Sequence, residues 1–321
     1  QFCLDWFGSV NYVAENQSKN LDGSYGWKED TLRDGFVICQ DEFNKIYLSA
    51  LNDKSIRDQL EQMLLSWINN DGLRRDVETD KNIFGQVLLF NKASIAIEMF
   101  HSSFGWSKEQ NKKLSKWLND RVVEMFPTDK RPISTICPIN SKDSKFKMLE
   151  ACKNGGILRA QALLRVAIWN KDPELVEMAY LTFHRYMTGI REDGSNIGDS
   201  TRGCTAADYN IWASQFMSDF LFHWDRIGKP LWDTQFINNS TPADAVEYSL
   251  SLFGNFESIN KHTTRKHWDN CDVYKAKKEQ IASKRYEEFG FYPRVSFSPY
   301  FQYNGDLVDV LKNYDRLSEI A

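Results

Sequence analysis

A cation and a phenol flank the start of an aromatic helix in REDGSNIGDSTRGCTAADYNIWA, residues 191–213. Arg202 lies in a polar, glycine-interrupted loop, and Tyr209 follows it by seven positions. Thr205 and Asp208 have the T-x-x-D spacing of a capping box, which predicts a helix beginning at Thr205 with Tyr209 in its first turn. The segment therefore predicts that a guanidinium and a phenol face one opening at the start of a helix.

An amide side chain is expected at the same opening. The helix that starts near Asn154-Gly155-Gly156 lies two helices before the one that carries Tyr209. Successive helices joined by short turns run antiparallel, so these two helices point the same way and place Asn154 at the end where Tyr209 lies. Helix starts also present unpaired N–H groups and a positive dipole end, which favour an anion.

A guanidinium, an amide and a phenol at one rim suit β-elimination on a uronic acid polymer. Removal of the C5 proton requires that the neighbouring carboxylate be neutralised, which Asn154 and Arg202 would do by hydrogen bonding and charge. Tyr209 would take the proton and then return one to the leaving O4 oxygen. Because a phenol ordinarily has a pKa of about 10, Arg202 and the helix start are needed to favour its ionised form.

Helices are the elements that must position these residues. Apolar residues recur at helical spacing, and start signals stand at Ser107 with Gln110, at Asp172-Pro173 and at Thr241-Pro242. Helices are expected near 30–50, 53–69, 83–104, 107–126, 155–170, 173–189, 205–227, 242–254, 272–288 and 306–317.

The succession of helical hairpins predicts the fold class. It favours a mainly α fold, an (α/α) toroid or incomplete barrel of antiparallel helical hairpins, formed by a single domain over residues 1–321. A plain bundle or a solenoid is the alternative, because no sharp sequence repeat fixes the number of hairpins. Strand-like alternation is confined to residues 289–303, and residues 127–153 are expected to form a long ordered loop.

The charge balance limits the class of partner. A net charge of −4 over 321 residues gives no basic field, which argues against nucleic acid. An acidic polymer requires a local cationic cluster, and arginines crowd the middle third of the chain: Arg131, Arg159, Arg165, Arg185, Arg191 and Arg202. Aromatic residues make up 14% of the chain, a share that is common where sugar rings stack on flat side chains.

The cysteines and the chain start bear on cofactors and compartment. Six cysteines lie far apart without a C-x-x-C pair, so we expect no metal site, and disulfides and buried thiols both remain open. No stretch has the length and apolarity of a membrane span. The sequence begins QFCLDW without Met, which fits a mature end left after export or a trimmed chain. We expect a secreted or periplasmic monomer without a cofactor.

The loop and helix motifs resemble those of the alginate-lyase-like polysaccharide lyases, which are built on an (α/α) toroid. DGSNIGDSTRG at 193–203 is similar to that family's D-G-S…E-x-x-R-G loop, with Asp199 at the acidic position, and KNGGILRA at 153–160 is similar to its N-N-H-G segment. The resemblance implies that Asn154 and Arg202 neutralise the carboxylate and that Tyr209 transfers protons.

One departure from the family pattern concerns the residue after Asn154. The family usually has His there, whereas this chain has Gly155. Either Tyr209 makes both proton transfers, which suits syn elimination, or another His enters from elsewhere, or the chemistry has been lost. His262 and His267 lie in an irregular stretch that could cover the opening.

Further substrate contacts are expected around this centre. Trp212 lies one turn beyond Tyr209 on the same side of the helix and is the best candidate for stacking on a sugar. Arg159, Asp199 and Gly155 complete the predicted binding residues.

Two other functions remain open at this stage. Three aspartates, Asp193, Asp199 and Asp208, raise the possibility of a toroidal glycoside hydrolase with a carboxylic acid and a carboxylate base. Gly155 favours a non-catalytic glycan-binding relative.

Overall fold

The computed structural model describes residues 17–19, 25–27, 43, 46, 49–73, 83–125, 137, 150–201, 206–252 and 262. These residues fall into two compact units, Gln1–Thr128 and Asp129–Ala321. Both units are mainly helical in the described residues, which confirms the predicted mainly α fold. No helix in this part of the chain is long and apolar enough to cross a bilayer.

The first unit contains a small hairpin followed by helices. Strand β1 (Gln17–Lys19) pairs antiparallel with β2 (Tyr25–Trp27). The helices are α1 (Lys54–Asn69), α2 (Ile83–Phe104) and α3 (Lys108–Met125). The hairpin was not predicted, because strands of three residues are too short to show alternation.

Capping and a few long-range contacts fix the helices of this unit. Asp53 caps α1 by accepting hydrogen bonds from two backbone N–H groups of its first turn. The predicted capping box at the start of α3 is confirmed, since the Ser107 N–H donates to Gln110 Oε1 (2.8 Å) and the Gln110 N–H donates to Ser107 Oγ (3.2 Å). The Trp117 indole N–H donates to the carbonyl of Gly72 (3.0 Å), which ties α3 to the turn after α1.

The second unit contains the helices that carry the predicted site. A short 3₁₀ turn at Glu150–Cys152 precedes α4 (Asn154–Asn170), α5 (Pro173–Met187), α6 (Ala206–Asp225) and α7 (Pro242–Ser251). The predicted starts of α5 and α7 are confirmed. Asp172 and Thr241 both cap the helix that follows, each with proline in the next position.

Several predicted segments lie outside the described residues. They include residues 272–288 and 306–317, which were expected to be helical, and the strand-like stretch 289–303. Most of the predicted loop 127–153 and of the helix expected near 30–50 also lie outside them, although residues 43, 46, 49 and 50 are helical.

The relative directions of α4, α5 and α6 follow from their contacts. Helices α4 and α5 are joined by two residues, Lys171 and Asp172, and pack against each other as an antiparallel hairpin. Two pairs of rings stack between α5 and α6. The ring centroids of Phe183 and Phe220 are 4.4 Å apart, and those of Tyr180 and Trp224 are 5.2 Å apart. Residue numbers fall on α5 as they rise on α6, so these two helices are also antiparallel. Helices α4 and α6 are therefore parallel.

A polar contact sets the axial level of α6 against α4. Gln161 Nε2 and Arg165 Nη2 of α4 both lie 2.5 Å from Asp219 Oδ2 of α6. Asn154 precedes these two α4 residues by seven and eleven positions, and Tyr209 precedes Asp219 by ten. At about 1.5 Å of rise per residue, Asn154 and Tyr209 therefore lie at similar heights along the parallel axes of α4 and α6.

Candidate active site

Asn154 is the first residue of α4, and its side chain lies at the start of that helix. The residue is 2% exposed. Its carboxamide forms no hydrogen bond with any residue that the structure describes. An amide that can still donate, at a helix start whose first backbone N–H groups have no side-chain cap, suggests a place where an anionic ligand binds.

The chain before Asn154 is held by a disulfide and by a close backbone approach. Cys137 and Cys152 form a disulfide, and the Cys137 N–H donates to Thr188 Oγ1 (3.0 Å) at the end of α5. A Cβ on Gly156 would lie 2.2 Å from the carbonyl oxygen of Ala151, so only glycine lets the 3₁₀ turn fold against the first turn of α4. These contacts bring the start of α4 to the end of α5.

The loop after α5 leads toward Arg202 and is tied to the start of α6. Asn196 Oδ1 accepts hydrogen bonds from the N–H groups of Gly198 (2.7 Å) and Asp199 (2.9 Å). The backbone N–H of Asn196 donates to Asn210 Oδ1 (3.1 Å), in the turn of α6 that carries Tyr209. The described part of the loop ends at Thr201. Arg202 and residues 203–205 lie outside it, so the structure does not place the guanidinium.

Tyr209 opens a row of aromatic rings along α6. Its side chain is partly exposed, and its ring centroid lies 6.5 Å from that of Trp212, which lies 5.3 Å from that of Phe216. The structure thus places Trp212 beside Tyr209, on the side of the helix expected from the sequence. The rings are tilted by 41° and 44° to one another, and the half-buried Trp212 ring offers an apolar face next to the phenol.

Asp199 lies in the interior, next to Tyr186 of α5. Its exposure is 0%. Burial raises the pKa of the Tyr186 phenol well above its usual value, and the charge of Asp199 raises this pKa further, whereas a hydrogen bond with Asn196 opposes the rise. The Asp199 carboxylate therefore lies on the inner side of the loop and does not face the solvent.

The turn Arg191–Ser195 is packed against α7. A Cβ on Gly194, whose φ is +81°, would lie 2.2 Å from the carbonyl oxygen of Asp244, so glycine is required there both by space and by backbone conformation. Burial raises the pKa of Tyr248 to about 12, with a smaller contribution from Asp193 and opposing effects from Ser200 and Arg191. Residues of α7 therefore line the inner side of the loop that leads to Arg202.

The structure brings together some of the predicted site residues. Asn154, the half-buried Gly155, Tyr209 and Trp212 lie at the same end of the parallel pair α4 and α6. Arg159 lies half-buried one turn further along α4. Within the described residues, no group of three or more His, Cys, Asp or Glu side chains has the arrangement of a metal site.

Sequence reasoning missed the residues that support the site. Asn196 and Asn210 connect the loop to α6, and the Cys137–Cys152 bridge holds the start of α4. Asn196 and Asn210 both lie in segment 191–213, close to the predicted site residues Arg202 and Tyr209. A hydrogen bond between residues fourteen positions apart nevertheless has no sequence signature. The cysteine spacing allowed a bridge without indicating which residues form it.

Comparison with known proteins connects this geometry to a family. The sequence model described as alginate lyase matches residues 48–258, more than half of the chain. No curated protein matches the chain. Among solved structures, alginate lyase A1-III from Sphingomonas species A1 is similar with a TM-score of 0.60 and 19% identity, over 86% of this chain and 77% of that chain.

A second similar structure carries a sugar. It is a variant of alginate lyase A1-III complexed with a tetrasaccharide, with a TM-score of 0.57 and 20% identity over 81% of this chain and 74% of that chain. The structural likeness confirms the predicted (α/α) toroid fold class. The chain belongs to the alginate lyase family and is a polysaccharide lyase.

Proposed function

We propose that this lyase cleaves an acidic, uronate-containing polysaccharide of the alginate or polyglucuronate type by β-elimination. The observation that carries the proposal is the Asn154 carboxamide, which forms no hydrogen bond with the described residues and lies at the helix end that also carries Tyr209. A sugar carboxylate would supply the missing hydrogen bond to this amide. The neighbouring structures named for alginate, one of them with a bound tetrasaccharide, support this class of substrate.

The reaction begins with neutralisation of the carboxylate. Asn154 donates a hydrogen bond to a carboxylate oxygen, and Arg202, which follows the described loop directly after Thr201, supplies positive charge. Both interactions strengthen as negative charge moves from C5 onto the carboxylate, so they stabilise the transition state more than the bound substrate.

Tyr209 carries the proton between carbon and oxygen. The phenolate removes the C5 proton, the electron pair of the C5–H bond forms the C4–C5 double bond, and the C4–O4 bond breaks. The phenol, now protonated, gives its proton to the departing O4 oxygen. The products are a new non-reducing end with an unsaturated uronate and a shortened chain, and the enzyme returns to its starting state.

Gly155 is the reason for assigning both transfers to one residue. The family pattern has His at this position, and glycine offers neither a base nor a hydrogen-bond donor beyond the backbone. With Tyr209 as the sole proton carrier, the C5 hydrogen and the O4 oxygen must lie on the same side of the sugar ring. A syn elimination follows from that geometry.

The remaining predicted residues take supporting roles in this proposal. Trp212 offers its ring to the sugar next to the cleaved bond, and Arg159 adds positive charge from α4. Asp199, predicted as a substrate contact, is buried, so we assign it to holding the loop beside Tyr186. Because Asp199 is inaccessible, it is a poor member of a hydrolytic pair with Asp193, and family membership favours elimination over hydrolysis.

The test is ultraviolet-monitored digestion of a panel of polyuronates. Wild type should produce the absorbance of the unsaturated uronate, and Tyr209→Phe should lower kcat by roughly 10²-fold or more while polymer binding persists. Asn154→Ala and Arg202→Ala should lower kcat by about 10²-fold. Tyr180→Phe is the matched control. It removes a hydroxyl from a ring of α5 that stacks on Trp224, at the end of α6 far from Tyr209.

Three results would contradict the proposal. Reducing ends without ultraviolet absorbance would indicate hydrolysis. Binding without turnover in the wild type, unchanged by Tyr209→Phe, would indicate a glycan-binding protein. Equal activity of Tyr209→Phe and Tyr180→Phe would remove Tyr209 from the mechanism.

We also propose a secreted or periplasmic monomer that forms a single domain. The Cys137–Cys152 disulfide supports an oxidising compartment, because such bridges persist there and are rare where thiols are kept reduced. Fractionation of the natural host tests the compartment, light scattering tests the oligomeric state, and coincident unfolding of both units in calorimetry tests the single domain.

A further inference from the structure

A histidine from far along the chain contacts the turn that precedes the Arg202 loop. His262 Nε2 lies 2.7 Å from Asp193 Oδ2, although the two residues are 69 positions apart. The side chains of His262 and Asp193 are 12% and 33% exposed, and the contact between them is open to solvent on one side.

The second oxygen of Asp193 organises the turn itself. Asp193 Oδ1 accepts hydrogen bonds from the backbone N–H of Ser195 (3.2 Å) and from its hydroxyl (2.6 Å). The same hydroxyl accepts a hydrogen bond from Arg191 Nη1 (3.0 Å). The Asp193 carboxylate therefore joins His262 to both ends of the turn.

This turn is continuous with the loop that leads to the site. Ser195 is followed by Asn196, whose N–H binds Asn210 beside Tyr209, and the loop ends at Thr201 just before Arg202. On α7, Gly194 packs against the backbone of Asp244. A shift of Asp193 would therefore move the loop relative to both α6 and α7.

We propose that His262 is a positioning residue for the elimination. Through Asp193 it fixes the loop that is bonded to α6 beside Tyr209 and that leads along the chain to Arg202. This inference rests on the proposed function for its catalytic consequence. His262 acts through Asp193 and touches neither the proton in transit nor the sugar. The role differs from that of the histidine in the family motif, which stands next to the catalytic amide.

The test combines hydrogen exchange with kinetics in the full-length protein. In His262→Ala, amide exchange of residues 191–197 should accelerate about tenfold at unchanged global stability, because the restraint on the turn is lost. With the best polyuronate, kcat should fall roughly tenfold or more while KM changes less than about threefold, since misplacement of catalytic groups affects the chemical step.

Two further variants separate positioning from simple destabilisation. His262→Gln keeps an N–H donor on a side chain of similar reach and should recover most of the lost kcat. Asp193→Asn combined with His262→Ala should be no slower than the slower single variant, because both act through one contact. Glu192→Gln is the matched control, since this neighbouring carboxylate is exposed, and its exchange and kcat should equal those of wild type.

The outcomes distinguish this inference from the proposed function. Wild-type exchange and kcat in His262→Ala would overturn the positioning role, and so would a slower kcat without faster exchange in residues 191–197. A wild type that forms no unsaturated uronate would overturn the proposed function instead. In that case the exchange measurement still decides whether His262 restrains the turn.

Discussion

The backbone N–H of Asn196 donates to the side-chain oxygen of Asn210 over 3.1 Å, and Asn210 Nδ2 donates to the carbonyl of Ala206 over 2.7 Å. One amide side chain thus bonds the loop after α5 and the first turn of α6 at once. Asn196 and Asn210 are both buried, so neither bond is replaced by water when it is lost. The residue next to Tyr209 therefore determines where the loop meets the helix.

Substitution of Asn210 tests this connection. Asn210→Ala leaves the buried N–H of Asn196 without an acceptor and should lower the free energy of unfolding by about 1–3 kcal/mol. The kcat should also fall, by roughly tenfold, because the loop and Tyr209 lose their common anchor. Denaturant unfolding and the ultraviolet assay measure the two effects. Asn239→Gly, at an exposed position whose φ of +57° suits glycine, is the control, and an Asn210→Ala variant as active as this control would refute the connection.

Trp212 is expected to act on binding more than on chemistry. Trp212→Ala removes the ring beside Tyr209, so KM should rise about three- to tenfold, as expected from the loss of one stacking contact, while kcat changes less. Phe222→Ala removes an exposed ring near the other end of α6 and should leave KM unchanged. Steady-state kinetics on polyuronate chains makes the comparison. A Trp212→Ala variant with wild-type KM would exclude the ring from the binding surface.

The disulfide should contribute substantially to stability. The bridge closes a segment with a sequence separation of 15, for which chain entropy predicts about 3 kcal/mol. Cys137→Ala combined with Cys152→Ala should therefore lower the free energy of unfolding by about this amount. Reductant should destabilise the wild type and have a smaller effect on the double variant. Equal sensitivity of the two proteins to reductant would show that this bridge is not the one that matters.

Two neighbouring asparagines should differ sharply in their effect on folding. Asn238 Nδ2 donates to the carbonyls of Thr188 (2.7 Å) and Ile190 (3.1 Å), which joins the chain before α7 to the end of α5. Asn238→Ala should cost about 1–3 kcal/mol of unfolding free energy. Asn239 is exposed and has a φ of +57°, which glycine adopts freely, so Asn239→Gly should cost less than about 1 kcal/mol. Chemical denaturation of the two variants measures these losses. Equal losses of unfolding free energy would contradict the difference between the two positions.

His184 should make stability depend on pH in the acid range. Burial, followed by the charge of Arg185, lowers the pKa of His184 in the folded protein. The unfolded chain binds this proton near a pH of about 6.5, so stability is fully present above that pH and falls as the pH drops toward the folded pKa. His184→Asn should show a smaller decrease in unfolding free energy between about pH 7 and pH 5. If the unfolding free energy of wild type and of His184→Asn changed in parallel with pH, His184 would not be the source of the pH dependence.

The helices were predictable because their signals are local. Asp172-Pro173 and Thr241-Pro242 specify a cap and a first helical position within two residues, and both starts were predicted correctly. The loop network was not predictable, because the bond between Asn196 and Asn210 depends on how α5 and α6 are placed. The His262–Asp193 contact spans 69 positions and has no local signal at all.

The site was predictable only in part for the same reason. Parallel placement of α4 and α6 follows from counting hairpins, and this put Asn154 and Tyr209 at one end. Burial does not follow from such counting. Asp199 has the polarity and the motif position of a substrate contact, yet the fold encloses it beside Tyr186.

The stacked ring pairs between α5 and α6 limit what a change in the length of the connecting loop could do to the site. Phe183 on Phe220 and Tyr180 on Trp224 interlock over a full helical turn, so α6 cannot slide along its axis without separating both pairs. An insertion or deletion in the connecting loop must then be absorbed as an outward bulge. The phenol at the head of α6 therefore keeps its position along the helix axis whatever the length of that loop.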